Sequence, residues 1–487
     1  MKKILFTHSY FYRFDKKQWE TNQPYPPLGT IYAAAFMREA GYNVSLFDTA
    51  LIETPEKIIP ILEQQKPDYL VIYDDGFNYL TKMCLTNMRE AAFRMAEIAK
   101  SKGIKVIASS SDAADHFEKY INHGVDFVVI GEGEITLKEL IGKLDKGESH
   151  FKNIEGLAFD ENGEIIRTAP RQIVKELDTF PMAAWDLIDI QSYKNIWMEN
   201  IGYFALNIAT TRGCPFKCNW CAKPIYGNRY NSRSPQKVAD EIEFLIDNFN
   251  VHHFWICDDI FGLKPGWVQE FRDIVKSKDL KFKYKIQSRV DLLLQEDTIS
   301  ALAESGAETV WVGAESGSQK ILDAMDKGTT VDQIYKATNI LKKHGIRPAF
   351  FLQFGYLGET KADIESTINM LLDLMPEEIG ISVSYPLPGT KFYDKVKEQL
   401  KEKTNWTDSD DLAMMYKGTF SPSYYKKLHR YVHKVYRRKQ SYINLKKLLI
   451  NPFNANQQKI RSALSLLYYS PMSLIDSIQL RRLEKAV

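Results

Sequence analysis

Long apolar runs are missing from this 487-residue chain. No stretch reaches the roughly 18 uninterrupted apolar residues of a membrane span, so none is expected. The opening Met1-Lys2-Lys3-Ile4-Leu5-Phe6-Thr7-His8 has too short an apolar run for a signal peptide. Cysteine is scarce. Five residues cannot frame a disulfide scaffold, and they fit a cytoplasmic enzyme with a thiolate site. An excess of one charge is also absent: 64 Lys+Arg face 62 Asp+Glu. That balance excludes an acidic disordered chain and a globally basic nucleic-acid coat. There is no solenoid repeat and no low-complexity tract. The length leaves room for two to four domains at roughly 100–200 residues each.

The even balance hides an asymmetry. From Ser421 onward the chain carries 14 Lys+Arg and 2 Asp+Glu, so the body before it is acidic. Residues 1–150 alternate short apolar runs, at 3–7, 43–48, 69–73, 105–109 and 126–130, with helical patterns at 28–40 and 81–102. Gly41, Gly103 and Gly124 stand where helix C-caps belong. This is βα repetition, and it predicts an α/β, Rossmann-like doubly wound sheet with ligands at the strands' carboxyl ends. Residues 151–200 read as a hairpin turning at Glu161-Asn162-Gly163 and an irregular linker. Residues 201–400 hold a second βα series of about six units, two short of a full barrel. Residues 401–487 read as a helical, basic, Tyr-rich C-terminal domain with a break at Pro471.

Three of the five cysteines fall within eight residues, in Thr211-Arg212-Gly213-Cys214-Pro215-Phe216-Lys217-Cys218-Asn219-Trp220-Cys221. They follow the first strand of the second series. Structural zinc wants four protein ligands, which His252, His253 or Cys257 would have to complete. A 4Fe–4S cluster held by three thiolates keeps one iron open for a ligand, which suits chemistry better than structure.

At these residues the sequence resembles the radical SAM superfamily. The resemblance implies a 4Fe–4S cluster on Cys214, Cys218 and Cys221, with Trp220 at the aromatic position of C-x3-C-x-aromatic-C. Its open iron would chelate S-adenosylmethionine. The later strand ends agree in order. Cys257-Asp258-Asp259 lies where the family's second strand ends and Ser288-Arg289 where its third does. Glu315-Ser316 resembles the fourth-strand region, and Gly355-Tyr356-Leu357-Gly358-Glu359-Thr360 the fifth-strand loop, with Leu357 in place of the usual proline. Tyr385-Pro386-Leu387-Pro388-Gly389-Thr390 matches the loop after the sixth. The S-adenosylmethionine site implied is Trp220, Asp258, Asp259, Ser288, Arg289, Glu315, Ser316 and Gly355. Taken singly, Asp258-Asp259 also suits a turn and Arg289 an ion pair; the joint order carries the resemblance.

In the first domain, Pro26-Pro27-Leu28-Gly29 opens a helix and Gly131-Glu132-Gly133-Glu134 opens another. Gly-rich helix starts offer backbone N–H groups to a polar ligand. With Arg38-Glu39-Ala40-Gly41-Tyr42, they resemble the cobalamin-binding domain of a large radical SAM subfamily. That subfamily includes methyltransferases and the anaerobic cyclase of bacteriochlorophyll synthesis. The implied cobalamin contacts are Pro27, Leu28, Gly29, Ser110, Gly131, Glu132, Gly133 and Glu134. The motif D-x-H-x-x-G is absent, and Ser109-Ser110-Ser111-Asp112 stands where relatives often carry Gly-Gly-x-His. His8, Tyr10 and His116 are nearby candidates.

The resemblance implies a cobalamin-dependent radical SAM enzyme. It would cleave S-adenosylmethionine to a 5′-deoxyadenosyl radical and methylate an unactivated carbon of a small-molecule or lipid-like substrate. An oxidative cyclase or rearrangement enzyme without methyl transfer is the alternative, and a non-catalytic cobalamin or redox sensor a second. A flavodoxin- or ferredoxin-type electron donor is implied as partner. Nucleic acid is not expected, because no recognition module is visible. The basic tail reads either as helices capping the barrel or as a peripheral contact with anionic lipid.

Overall fold

Parallel strands organise both halves of the chain. The computed structural model describes residues 1–221, 225–295, 297–400, 405–451 and 457–485. Parts of the expected C-terminal region, 401–404, 452–456 and 486–487, therefore lie outside the described residues.

The first sheet contains β1 (Lys3–Thr7), β2 (Asn43–Phe47), β3 (Tyr69–Tyr73), β4 (Lys105–Ser109), β5 (Phe127–Val129), β6 (Leu157–Glu161) and β7 (Glu164–Arg167). Its order is β2-β1-β3-β4-β5-β6-β7. The first five strands are parallel. The five residues of β3 are all buried, as a strand covered by helices on both faces requires. Each fully buried Leu, Val or Ile there contributes roughly 1.5–3 kcal/mol. The hairpin β6–β7 adds antiparallel to the edge at β5. Asn162 and Gly163 both take positive φ, the left-handed pair that matches a hairpin's twist.

The segment expected to be an irregular linker is more ordered than its prolines imply. It holds a helix, Ile190–Asn200, and two buried tryptophans. The Trp197 indole donates to the Pro24 carbonyl (2.8 Å), and that of Trp185 to Glu241 (3.2 Å). Burying two indoles fixes a backbone with little repeating structure of its own.

The second sheet is parallel throughout: β8 (Ala205–Ile208), β9 (His253–Ile256), β10 (Lys283–Ser288), β11 (Ala307–Glu315), β12 (Arg347–Phe354) and β13 (Glu378–Val383). Each strand lies beside the next in sequence. Successive right-handed crossovers produce this order, and the result is an open partial barrel. All six carboxyl ends share one edge. The first sheet's carboxyl edge meets it, since Arg212 after β8 pairs with Glu132 and Glu134 after β5.

The C-terminal region is helical: α1 (Pro422–Ile450), α2 (Gln457–Leu464) and α3 (Leu466–Lys485). Tyr436 on α1 donates to the Pro376 carbonyl beside the barrel (2.6 Å). Pro471 does not break α3 as expected; the helix runs through it. Pro471 is exposed, so water can satisfy the carbonyl its missing N–H leaves over.

Candidate active site

The cysteine loop leaves β8 and returns through a two-residue antiparallel pairing, Thr211–Arg212 with Asn231–Ser232. Gly213 turns the chain with φ +81°, and a Cβ there would overlap the Arg229 carbonyl oxygen. Only glycine meets both demands. Cys214, Cys218 and Cys221 are half-buried on this loop, and the described cysteines form no disulfide. Among the described residues no three His, Cys, Asp or Glu side chains converge on one metal ion. That is no obstacle to a cluster, in which each thiolate binds a different iron.

Asn219, which the motif reading passed over, anchors the loop. Its amide donates to the Ala324 carbonyl (2.8 Å) and to Asp326 (3.1 Å), and it accepts from the Tyr356 hydroxyl (2.6 Å). Its backbone N–H donates to the Met325 carbonyl (3.0 Å). Loops after β11 and β12 thus hold the middle of the cysteine triplet. The Trp220 ring is half-buried, and its buried indole N–H finds no acceptor among the described residues.

Two ammonium groups flank the loop, Lys327 buried and Lys82 half-buried. Lys327 donates to Glu315 (2.8 Å). Burial acts against its charge, but Glu315 and Cys218 outweigh it and raise its pKa. Lys82, from the first domain, pairs with Asp259 (2.5 Å). Burial again opposes the charge, and Asp259, Cys221 and Cys257 together raise the pKa. Nothing in its local sequence marked Lys82.

The other expected S-adenosylmethionine residues gather on the same edge. Glu315 is buried with φ +57°, a strained conformation for a residue with a side chain. Gly313 makes room for it, because a Cβ there would stand 2.5 Å from the Lys327 ammonium. Ser316 bonds Thr367 (3.0 Å). Ser288 donates to the Phe261 carbonyl (3.0 Å). Asp258 accepts from the Thr210 and Thr211 N–H groups (2.7 and 3.0 Å), fixing the start of the cysteine loop, and burial pushes its pKa up to about 6. Arg289 donates to Asp291 (2.9 Å) and the Lys327 carbonyl (2.8 Å), with its guanidinium 3.7 Å from the Phe216 ring centroid. Asp258 and Arg289 thus both have hydrogen-bond partners within the protein. Gly355, φ +85°, donates to Glu359 (2.6 Å) and accepts from Tyr416 (2.5 Å).

The expected cobalamin residues reach the first sheet's carboxyl edge with most of their polar groups engaged. Pro27 precedes the helix Leu28–Glu39. The N–H groups of Leu28 and Gly29 donate to Asp75 (3.2 and 3.0 Å). Ser110 caps the short helix Ser111–Asp115, accepting from Ala113 (2.8 Å). Gly131 turns with φ +84°; a Cβ on Gly133 would stand 2.8 Å from the Tyr73 ring. Glu132 and Glu134 both bind Arg212, the latter at 2.7 Å. Arg212 also lies 4.4 Å from the Phe180 ring centroid. His8 bonds Asp48 (2.9 Å) and Thr49, and Tyr10 is buried. Asp112 is engaged with buried Arg89 (2.7 and 2.5 Å). The Ser111 hydroxyl and Glu134 Oε2 are buried without a hydrogen-bond partner among the described residues.

Residues 208–371 match the family described as the Radical SAM superfamily. Over 388 residues the chain is 28% identical to an uncharacterized methyltransferase of Pyrococcus horikoshii, covering 78% of this chain and 81% of that protein. It is 26% identical over 386 residues to the anaerobic magnesium-protoporphyrin IX monomethyl ester cyclase of Cereibacter sphaeroides, covering 77% of this chain and 61% of that one. Its fold is similar to that of OxsB, a cobalamin-dependent S-adenosylmethionine radical enzyme solved with aqua-cobalamin and S-adenosylmethionine. There the TM-score is 0.73 at 17% identity, over 99% of this chain and 72% of that one.

Proposed function

We propose, for a chain whose residues 208–371 form a radical SAM domain, a cobalamin-dependent enzyme that methylates an unactivated carbon of a small-molecule or lipid-like substrate. The carrying observation is the half-buried cysteine triplet between two ammonium groups, buried Lys327 and half-buried Lys82. Thiolates ligating iron are anionic, and buried cations stabilise that charge where water is scarce. The donor set therefore fits a 4Fe–4S cluster on Cys214, Cys218 and Cys221, and the orphaned Trp220 indole N–H fits an acceptor beside it. The polar first edge, with the unpartnered Ser111 hydroxyl, fits a ligand with many amide groups such as cobalamin.

When bound, the cluster supplies the electron that cleaves S-adenosylmethionine, and cobalamin supplies a transferable methyl group. The chain's own residues position and exclude water. Asn219 and Arg289 fix the loop; Glu315 and Lys327 present a buried pair of opposite charges to an amino acid's ammonium and carboxylate. The buried Arg212 clamp joins the first domain to the second at their carboxyl edges. The chain's relatives include a methyltransferase and a cyclase, two outcomes that draw on the same parts.

The test is anaerobic reconstitution with iron, sulfide and hydroxocobalamin, then desalting and metal analysis. About four irons and a cobalt per chain, with 5′-deoxyadenosine and S-adenosylhomocysteine formed in turnover, are expected. Iron without cobalt overturns the cobalamin assignment. With an identified substrate, 5′-deoxyadenosine without S-adenosylhomocysteine replaces methyl transfer by oxidative cyclisation or rearrangement.

A further inference from the structure

The apolar surface of this protein is concentrated at one place that the catalytic reading does not use. Among the described residues, ten of the sixteen exposed large apolar side chains lie between residues 442 and 478. Leu449, Ile450 and Leu467 are 74%, 80% and 77% exposed. On α3 the exposed apolar positions include Leu467, Tyr468, Pro471, Leu474, Ile475 and Ile478. Their spacing of three and four residues makes one stripe along the helix.

The opposite face of α3 fixes its rotation. Asp476 is buried and accepts from Lys434 (2.6 Å) and Lys427 (3.3 Å) of α1. Ser473 is buried too and accepts from Arg438 (3.0 Å). The stripe is therefore held outward by an ion-paired seam and cannot turn in to the core without breaking it. Exposed cations stand on the same helices: Lys446 and Lys447 near the end of α1, Arg461 on α2, and Arg481 and Arg482 within about one turn of Ile478 on α3.

We propose that this face of the C-terminal helices docks on an anionic lipid bilayer, lying in the interface with the stripe among the acyl chains and the cations at the headgroups. No helix among the described residues is long and apolar enough to cross a membrane, so the contact is with one leaflet. Charge decides the occupant. Residues from Ser421 onward carry 14 Lys+Arg against 2 Asp+Glu. Two copies apposed through this face would bring like charges together, whereas an anionic surface attracts them. Large exposed apolar patches on soluble domains mark interaction sites, and an apolar stripe with cations on the same helices is the pattern of interfacial helices.

The full chain would be sedimented with vesicles of phosphatidylcholine alone and of equal parts phosphatidylcholine and phosphatidylglycerol. Binding about tenfold stronger to the anionic vesicles, and weakening as salt rises, is expected. Leu474→Asp with Ile475→Asp should cut that binding about tenfold, while circular dichroism and reconstituted iron content stay unchanged, since both positions are exposed. Arg481→Glu with Arg482→Glu should weaken binding severalfold and remove the lipid-charge preference. Equal binding to both vesicles, or full binding by the Asp variant, overturns the proposal. So does a concentration-dependent dimer, seen by analytical ultracentrifugation, that the Asp variant dissolves.

Discussion

The two carboxyl edges are built from similar material and put to different use. On the second, charged residues are arranged around the cysteine loop. Lys327 and Lys82 keep their protons near Cys218 and Cys221, and Asn219, Asp258 and Arg289 hold the loop from three sides. On the first, the two acidic residues that look ligand-facing in sequence are engaged in assembly: Glu132 and Glu134 grip Arg212. Asp75 likewise caps the helix behind Pro27. A Gly-Glu-Gly-Glu turn thus joins the domains at the residue two before Cys214. The lesson is that a motif at a strand's end names a place where chemistry can occur; the partners across the interface decide whether its side chains are available for it.

The contrast breaks most visibly at the cysteines. Replacing Cys214, Cys218 or Cys221 by Ala should abolish both reconstituted iron and S-adenosylmethionine cleavage, with the fold intact by circular dichroism. Full iron in any one variant would remove that residue from the ligand set. At the first edge the corresponding change acts on stability. Arg212→Ala leaves two carboxylates buried without their cation and should cost about 3–5 kcal/mol in chemical denaturation. A cost below about 1 kcal/mol would mean water reaches the clamp.

Much of this was legible in sequence, and the remainder has a physical reason. Strands β1, β3 and β4 were marked by their apolar runs, because a strand covered on two faces must be apolar almost throughout, whereas Lys283–Ser288 alternates. The cysteine triplet and the strand-end residues were legible because they are local strings at fixed places in a βα series. What could not be read was pairing across long sequence separations. Lys82 and Asp259 are 177 residues apart, and Arg212 and Glu132 are 80 apart. Asn219 sat inside the motif but its role depends on Ala324 and Tyr356. Pro471 misled because a proline's cost depends on whether its helix face is wet, which the local string does not disclose.

A subtler test separates charge from geometry at the second edge. Lys327→Met keeps the side chain's length and removes the ammonium. Iron retention during chelator challenge should fall about 10–100-fold, the usual cost of losing a supporting contact to a metal site. Lys82→Met should do the same more weakly, since Lys82 is the more exposed of the two. Unchanged retention in both would leave the cysteines supported by loop geometry alone.

The smallest effect lies at Glu359, whose carboxylate accepts the Gly355 N–H while its other oxygen, Oε1, is buried without a partner. Burial pushes its pKa up to about 8, against an ordinary 4.5, although the Gly355 hydrogen bond opposes the rise. A raised carboxyl pKa means the folded chain keeps a proton that the unfolded chain has released. Its contribution to stability is fully present below about pH 4.5 and is lost as pH climbs towards about 8. From about pH 6.5 to 8 the loss should be about 1–2 kcal/mol. Glu359→Gln carries the neutral form at every pH, so its stability advantage over the wild type should grow across that interval in paired urea denaturations. A constant difference would mean that Glu359 is already ionised in the folded protein, with the Gly355 N–H supporting its charge.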